Sequence, residues 1–224
     1  MSSTEIETPS GPFVDRHDAG RQLAEQLTSL ADEQVVVVAL PRGGVPVAHE
    51  IAAALEAPLE ILAVRKLGAP HNPEYGIGAV AEDGTCVIDA EAVGVLGISN
   101  GELDATIAGE SAELMRRVAA YRGGRAPLDL EGRTVVVVDD GVATGLTDTA
   151  ALRAVRHMKP RRIVLAVPVC SPDALRRLRA EADDIVCLRV PRQLRSISQW
   201  YGDFSQVSDE EVLRDLQPRA DAAA

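Results

Sequence analysis

The stretch from Thr134 to Thr147, which reads TVVVVDDGVATGLT, limits the fold more than any other part of the chain. Four consecutive valines are how a strand buried on both faces of a parallel sheet reads. Two carboxylates, Asp139 and Asp140, stop that run. Small and hydroxyl residues follow, and then a helical pattern over residues 148–157. This order sets both acids at the carboxyl end of a strand, where open α/β sheets bind ligands. It sets the amides of Ala143, Thr144, Gly145, Leu146 and Thr147 at a helix N-terminus, where donors lack partners and the dipole favours an anion. Gly145 lets the backbone approach a phosphate closely, and Thr144 and Thr147 add hydroxyl donors. An anion cradle beside two acids that can hold hydroxyls or a divalent cation suits a phosphorylated sugar.

The rest of the chain repeats the alternation of strand and helix. Residues 35–40 read as a buried strand that runs into Pro41-Arg42-Gly43-Gly44 and a helix over 45–56. Arginine beside free amides at a helix start suits a second phosphate or a pyrophosphate. Residues 59–64 read as the next strand, ending in Arg65-Lys66-Leu67-Gly68. The stretch from Arg65 through Glu74-Tyr75-Gly76 carries two prolines and two glycines, which predicts an exposed loop. Residues 77–81 and 85–89 predict a hairpin around Glu82-Asp83-Gly84. A long helix over 101–121 follows, capped by Ser99 or Asn100 and ended by Gly123-Gly124. Strands at 162–167 and 185–190 flank a helix that starts at Ser171-Pro172, and Ser208 caps a short helix near 210–216. The pattern predicts an α/β fold, a doubly wound, mostly parallel sheet with flanking helices and a small β-hairpin and helical accessory part. Residues 1–12 read as a flexible leader and 13–224 as one domain.

Composition narrows the functional classes. Lys plus Arg number 23 and Asp plus Glu 34, a net charge of −11. That balance argues against nucleic acid and against an anionic membrane surface as partners. The three cysteines, Cys86, Cys170 and Cys187, form no Cys-x-x-Cys pair, so buried apolar filling is expected of them rather than a disulfide framework. No signal peptide opens the sequence, and no apolar run approaches the ~18 residues of a membrane span, so a cytoplasmic location is expected.

Residues 135–147 resemble the phosphoribosyl-pyrophosphate signature of type I phosphoribosyltransferases: a hydrophobic strand, two acids, then a small-residue phosphate loop. The resemblance implies that Asp139 and Asp140 contact the ribose hydroxyls and help hold Mg²⁺, directly or through water. It gives the 5′-phosphate to Ala143, Thr144, Gly145, Leu146 and Thr147. It gives pyrophosphate to Arg42, Gly43 and Gly44, which follow the first core strand as the family's pyrophosphate loop does. The stretch from Arg65 to Gly76 is similar in position to the family's flexible loop, and its Arg-Lys and Glu-Tyr-Gly wording looks most like the adenine branch. That brings in Arg65, Lys66, Glu74 and Tyr75. Two residues depart from the pattern. Gly141 stands where a bulky apolar residue is usual, and Ala143 where the 6-oxopurine branch carries an aspartate, which points away from a hypoxanthine- or guanine-type activity.

The implied reaction is transfer of the 5-phosphoribosyl group from 5-phosphoribosyl 1-pyrophosphate to a nucleobase-like nitrogen acceptor, with release of pyrophosphate. Asp139, Asp140, Arg42, Lys66 and Glu74 would form the catalytic set, with Mg²⁺ as cofactor. Each has a plainer reading. Arg42 can serve as a surface ion-pair partner, Arg65 and Lys66 as a solvated loop pair, and Glu74 and Tyr75 as ordinary loop residues. Trp200 and Tyr201 read as packing for the tail. A homodimer is compatible with this reading. The alternative is a sensor or regulatory protein that binds the sugar pyrophosphate without turning it over.

Overall fold

A computed structural model describes residues 11–217. The expected leader lies, except for Gly11 and Pro12, outside the described residues. The two valine-rich runs form β1 (Val35–Ala39) and β6 (Thr134–Val138), with every residue of both buried. They are central because they are apolar on both faces. They pair in parallel from Val35 opposite Thr134 to Ala39 opposite Val138. With β2 (Leu59–Ile61), β7 (Arg162–Val169) and β8 (Asp184–Arg189) they make a five-stranded sheet of order β2-β1-β6-β7-β8, all pairs parallel.

Side-chain alternation splits the core into two layers. Val35, Val37, Val136 and Val138 face α1 (Arg16–Gln26), α2 (Gly44–Ala54) and α7 (Asp209–Asp215). Val36, Val38, Val135 and Val137 face α5 (Leu146–His157) and α6 (Pro172–Leu178). The chain winds one way from β1 to β2 and the other way from β6 through β8. The reversal falls between β1 and β6, which is the ligand-binding switch point of such sheets. Because these strands are in register, the turn after β1 and the loop after β6 emerge side by side.

A second, antiparallel sheet of β3 (Val64–Ala69), β4 (Asn72–Ala81) and β5 (Cys86–Ile88) carries α3 (Ala90–Leu96) and α4 (Asn100–Arg122). Ala79 and Val87 pack on Leu146 and Ala150, so this sheet stands over the first turns of α5. Arg122 ties it to the main sheet, donating to Glu82 at 2.6 Å and to the carbonyl of Ile61 at 3.2 Å. The doubly wound parallel sheet and the accessory hairpin with helices therefore match the expected fold class.

Two local expectations are corrected. Residues 65–76 are a bulged hairpin of β3 and β4, with register shifts at Leu67/Gly68 and Gly68/Ala69. The glycines that read as loop formers are close-approach points. A Cβ on Gly68 would strike the backbone of Pro73, and one on Gly76 would lie 2.5 Å from the Lys66 Cε. Glycine at a bulge serves this purpose, and proline is tolerated where a ladder bond is already broken. The second correction is α3, which periodicity missed. It is short, capped by Asp89 and ended by Gly97 in the left-handed region.

Candidate active site

The carboxyl ends of β1 and β6 bring Pro41-Arg42-Gly43-Gly44 against Asp139 and Asp140. A Cβ on Gly43 would fall inside the Asp140 carboxylate, and one on Gly44 would lie 2.5 Å from the Val138 carbonyl oxygen. Glycine is required at both positions for these strand ends to meet. The Pro41–Arg42 peptide bond is cis.

The five helices α1, α3, α4, α6 and α7 each have a side-chain N-cap: Asp15, Asp89, Ser99, Ser171 and Ser208. The remaining two, α2 and α5, begin after Gly43 and Gly145 with no side-chain cap. Both start at this sheet edge. At α2 the Gly44 and Val45 amides turn back to the carbonyls of Leu40 at 3.0 Å and Arg42 at 3.2 Å, while α5 leaves its first amides for another acceptor, and the two helix dipoles add there. Gly145 is left-handed at φ 75°, the geometry that turns the loop into α5. Thr149 closes the first turn from its hydroxyl to the Gly145 carbonyl at 2.7 Å. The loop is held in shape from β7 and α6: Val142 donates to the Val169 carbonyl at 2.8 Å, and the Ser171 hydroxyl to that of Ala143 at 2.6 Å. Ala143 and Thr144 are exposed, and Gly145 and Leu146 are buried.

Asp139 accepts from the Asp140 amide at 2.8 Å. Asp140 accepts from Arg16 Nε at 2.7 Å, and the Tyr201 hydroxyl donates to the Asp140 carbonyl at 2.6 Å. Burial pushes the Asp139 carboxyl well above its usual range, and the neighbouring charges of Asp140 and Asp148 push it further. Burial also raises Asp140, with Arg16 opposing. Asp148, in the first turn of α5, is buried with Oδ1 lacking a partner. Burial lifts it to about 7.

The remaining expected residues are placed as follows. Arg42 pairs with Asp209 at 3.6 Å, and Asp209 also accepts from the Tyr121 hydroxyl at 2.5 Å. Arg65 is taken by Glu110 and lies 3.8 Å from Glu113. The Lys66 amine donates to the Glu74 carbonyl at 2.6 Å. Glu74 and Tyr75 are exposed on the hairpin. The polar contacts of Arg65 and Lys66 thus run within the hairpin and to α4. Sequence reasoning missed Arg16 and Asp148, and for Tyr201 it weighed stacking on a base and favoured packing of the tail. Tyr201 does pack, against Phe13 and Phe204, but its hydroxyl also holds the acid loop. A Cβ on Gly141 would lie 2.6 Å from Ile197, so Ile197 fills the space a larger residue at 141 would need.

A family model described as the phosphoribosyl transferase domain matches residues 15–208. The chain belongs to the phosphoribosyl transferase family. Among its relatives is Rv0571c of Mycobacterium tuberculosis, named provisionally as a phosphoribosyl transferase. It is 45% identical over 201 residues, which cover 90% of this chain and 45% of that protein. The chain thus spans about half the length of this curated relative. The bifunctional protein PyrR of Chloroflexus aurantiacus is 41% identical over 68 residues, 30% of this chain and 37% of that one. The crystal structure of TT1426 from Thermus thermophilus superimposes with a TM-score of 0.76 at 44% identity, covering 92% of this chain and 97% of that one. Among the described residues no helix is long and apolar enough to cross a membrane.

Proposed function

We propose that this phosphoribosyl transferase family member transfers the 5-phosphoribosyl group from 5-phosphoribosyl 1-pyrophosphate to a nucleobase-like nitrogen acceptor. The observation that carries the reading is the meeting of two uncapped helix N-termini with an acid pair at one switch point. Two anionic groups joined by a polyol need that arrangement. The 5′-phosphate would take the amides of Thr144 to Thr147 at the start of α5. The pyrophosphate would take the Gly43 amide and the Arg42 guanidinium, with Gly44, whose amide donates to the Leu40 carbonyl, allowing the close approach. Asp139 and Asp140 would accept hydrogen bonds from the ribose hydroxyls between them.

The nitrogen nucleophile forms a bond to C1 while the C1–oxygen bond to pyrophosphate breaks, and the electron pair leaves with pyrophosphate. Most of the protein's work is positioning and stabilising the departing charge. Arg42 would exchange Asp209 for pyrophosphate. Lys66, on the hairpin over α5, would add a second cation on release from Glu74, and Glu74 would steer the acceptor proton. The donor set suits Mg²⁺, which is commonly held by one or two carboxylates together with substrate oxygens and water. Asp139 and Asp140 would hold it, and it would supply counter-charge to the leaving group.

The second reading, a sensor that binds the sugar pyrophosphate without turnover, is favoured by one observation: at Ala143 the loop offers no acid to act on a base. The test is pyrophosphate release over a panel of purines, pyrimidines and small amines with Mg²⁺, alongside thermal shift with the sugar pyrophosphate. The transferase reading expects turnover with one acceptor class and a ligand-dependent rise in Tm that Asp140→Asn diminishes. Binding without release on any acceptor would favour the sensor, and no binding at all would refute both.

A further inference from the structure

Arg16 lies 124 residues from Asp140 in sequence, yet its Nε donates to Asp140 Oδ2 at 2.7 Å, with both side chains largely buried. Two segments far apart in sequence, residues 13–16 and 200–205, meet to hold it there. Phe13 donates from its amide to the Trp200 carbonyl at 2.8 Å and accepts from the Gly202 amide at 2.7 Å. Asp203 donates to the Val14 carbonyl at 2.8 Å. Asp15 caps α1 and so sets Arg16 as its first residue. The guanidinium face lies 3.8 Å over the Phe204 ring, and its Nη1 donates to the Ser205 carbonyl at 2.9 Å.

One planar group therefore reaches a carboxylate and a carbonyl in its plane and an aromatic ring on its face. Lysine, a point charge on a flexible stem, cannot satisfy all three at once. The effect falls on Asp140. Its backbone is held by the Tyr201 hydroxyl, and its carboxylate is turned against Gly43 on the neighbouring loop. Two loops of the site meet at one carboxylate, and Arg16 holds Oδ2, the oxygen that lies against Gly43.

We infer that Arg16 is a positioning residue for the sugar pyrophosphate: it fixes the Asp140 carboxylate in the orientation that meets the ribose hydroxyls between the two anion cradles. The inference rests on the phosphoribosyl reading above. It makes these paired segments part of the site, with residues 13–16 and 200–205 acting on the ligand through Asp140.

The experiment measures 5-phosphoribosyl 1-pyrophosphate affinity, with Mg²⁺, by calorimetry on the full chain. Wild type is compared with Arg16→Ala, Arg16→Lys, Asp140→Asn and the Arg16→Ala/Asp140→Asn double variant. Arg21→Ala, which removes an exposed cation from the same helix, is the control, and circular dichroism monitors folding. Arg16→Ala is expected to weaken binding at least tenfold, with Arg16→Lys recovering only part of the loss. Added guanidinium should restore Arg16→Ala toward wild type. The double variant should bind no more weakly than Asp140→Asn alone, because both changes remove one interaction. A purely structural Arg16 would give additive losses and no guanidinium rescue, and that result overturns the inference. So does unchanged binding, or tighter binding, which would mean that Arg16 competes with the ligand for Asp140. If wild type itself binds no sugar pyrophosphate, the phosphoribosyl reading falls first and this inference falls with it.

Discussion

Asp148 offers a test in which sign and size both follow from burial. It sits in the first turn of α5, buried, with one carboxylate oxygen unpartnered, and burial lifts it from 3.8 to about 7. The folded protein therefore keeps this proton to a higher pH than the unfolded chain does. Between about pH 4 and pH 7 the folded state binds more protons, so this group's contribution to stability falls as pH rises. Above that window the whole cost of a buried charge is present. The shift of about 3 units at ~1.4 kcal/mol per unit bounds it at about 4 kcal/mol. Asp148→Asn keeps the shape and removes the ionisation. Urea denaturation at pH 4.5, 6 and 8 is expected to show little difference at the lowest pH and an Asp148→Asn advantage of about 2–4 kcal/mol at pH 8. A difference that stays constant with pH, or a variant that is less stable at pH 8, would refute the reasoning.

Gly43→Ala sets a methyl inside the space of the Asp140 carboxylate. It is expected to leave a folded protein that binds the sugar pyrophosphate at least tenfold more weakly, read by calorimetry beside circular dichroism. Glu82→Ala removes the principal partner of Arg122, a largely buried cation whose Nε makes no hydrogen bond and lies 3.6 Å from Glu60. It is expected to cost about 2 kcal/mol in chemical denaturation, because the charge-assisted hydrogen bond is lost and only the longer pair to Glu60 remains. Glu82→Gln should cost less, since it keeps an acceptor for the guanidinium.

How much was legible in the sequence depended on the range of the physics involved. The valine runs, the acid pair and the glycine turns are local signals, and they located the sheet, its switch point and the loop after each central strand. Arg16 was not legible as a site residue. Asp15 marks it as the start of a helix, but its partner lies 124 residues away and nothing local points there. The hairpin over residues 65–76 was misread because glycine and proline mark loops in isolation. Here Gly68 and Gly76 answer instead to the backbone and side chain of the opposing strand. In sequence Asp148 is only the first residue of a helical pattern, and burial alone shows its cost. Tyr201 had a packing signal but no signal for the Asp140 carbonyl.

The missing caps carry the last step of the argument. A side-chain N-cap contributes about 1 kcal/mol to a helix, and this chain supplies one to each of five helices. It forgoes that stabilisation at α2 and α5, the two helices that open onto the acid pair. It also accepts the buried charge of Asp148 in the first turn of α5. A sheet edge with three neighbouring acids in a chain of net charge −11 is a poor place to bind an anion by general electrostatics. Binding there has to come from directed donors: amides at the start of α5 and in the turn before α2, the Arg42 guanidinium, and a divalent cation that turns the acids from repulsive into attractive groups. On this argument anion affinity at the site depends on the cation far more steeply than on ionic strength, the opposite of what a basic surface patch would give.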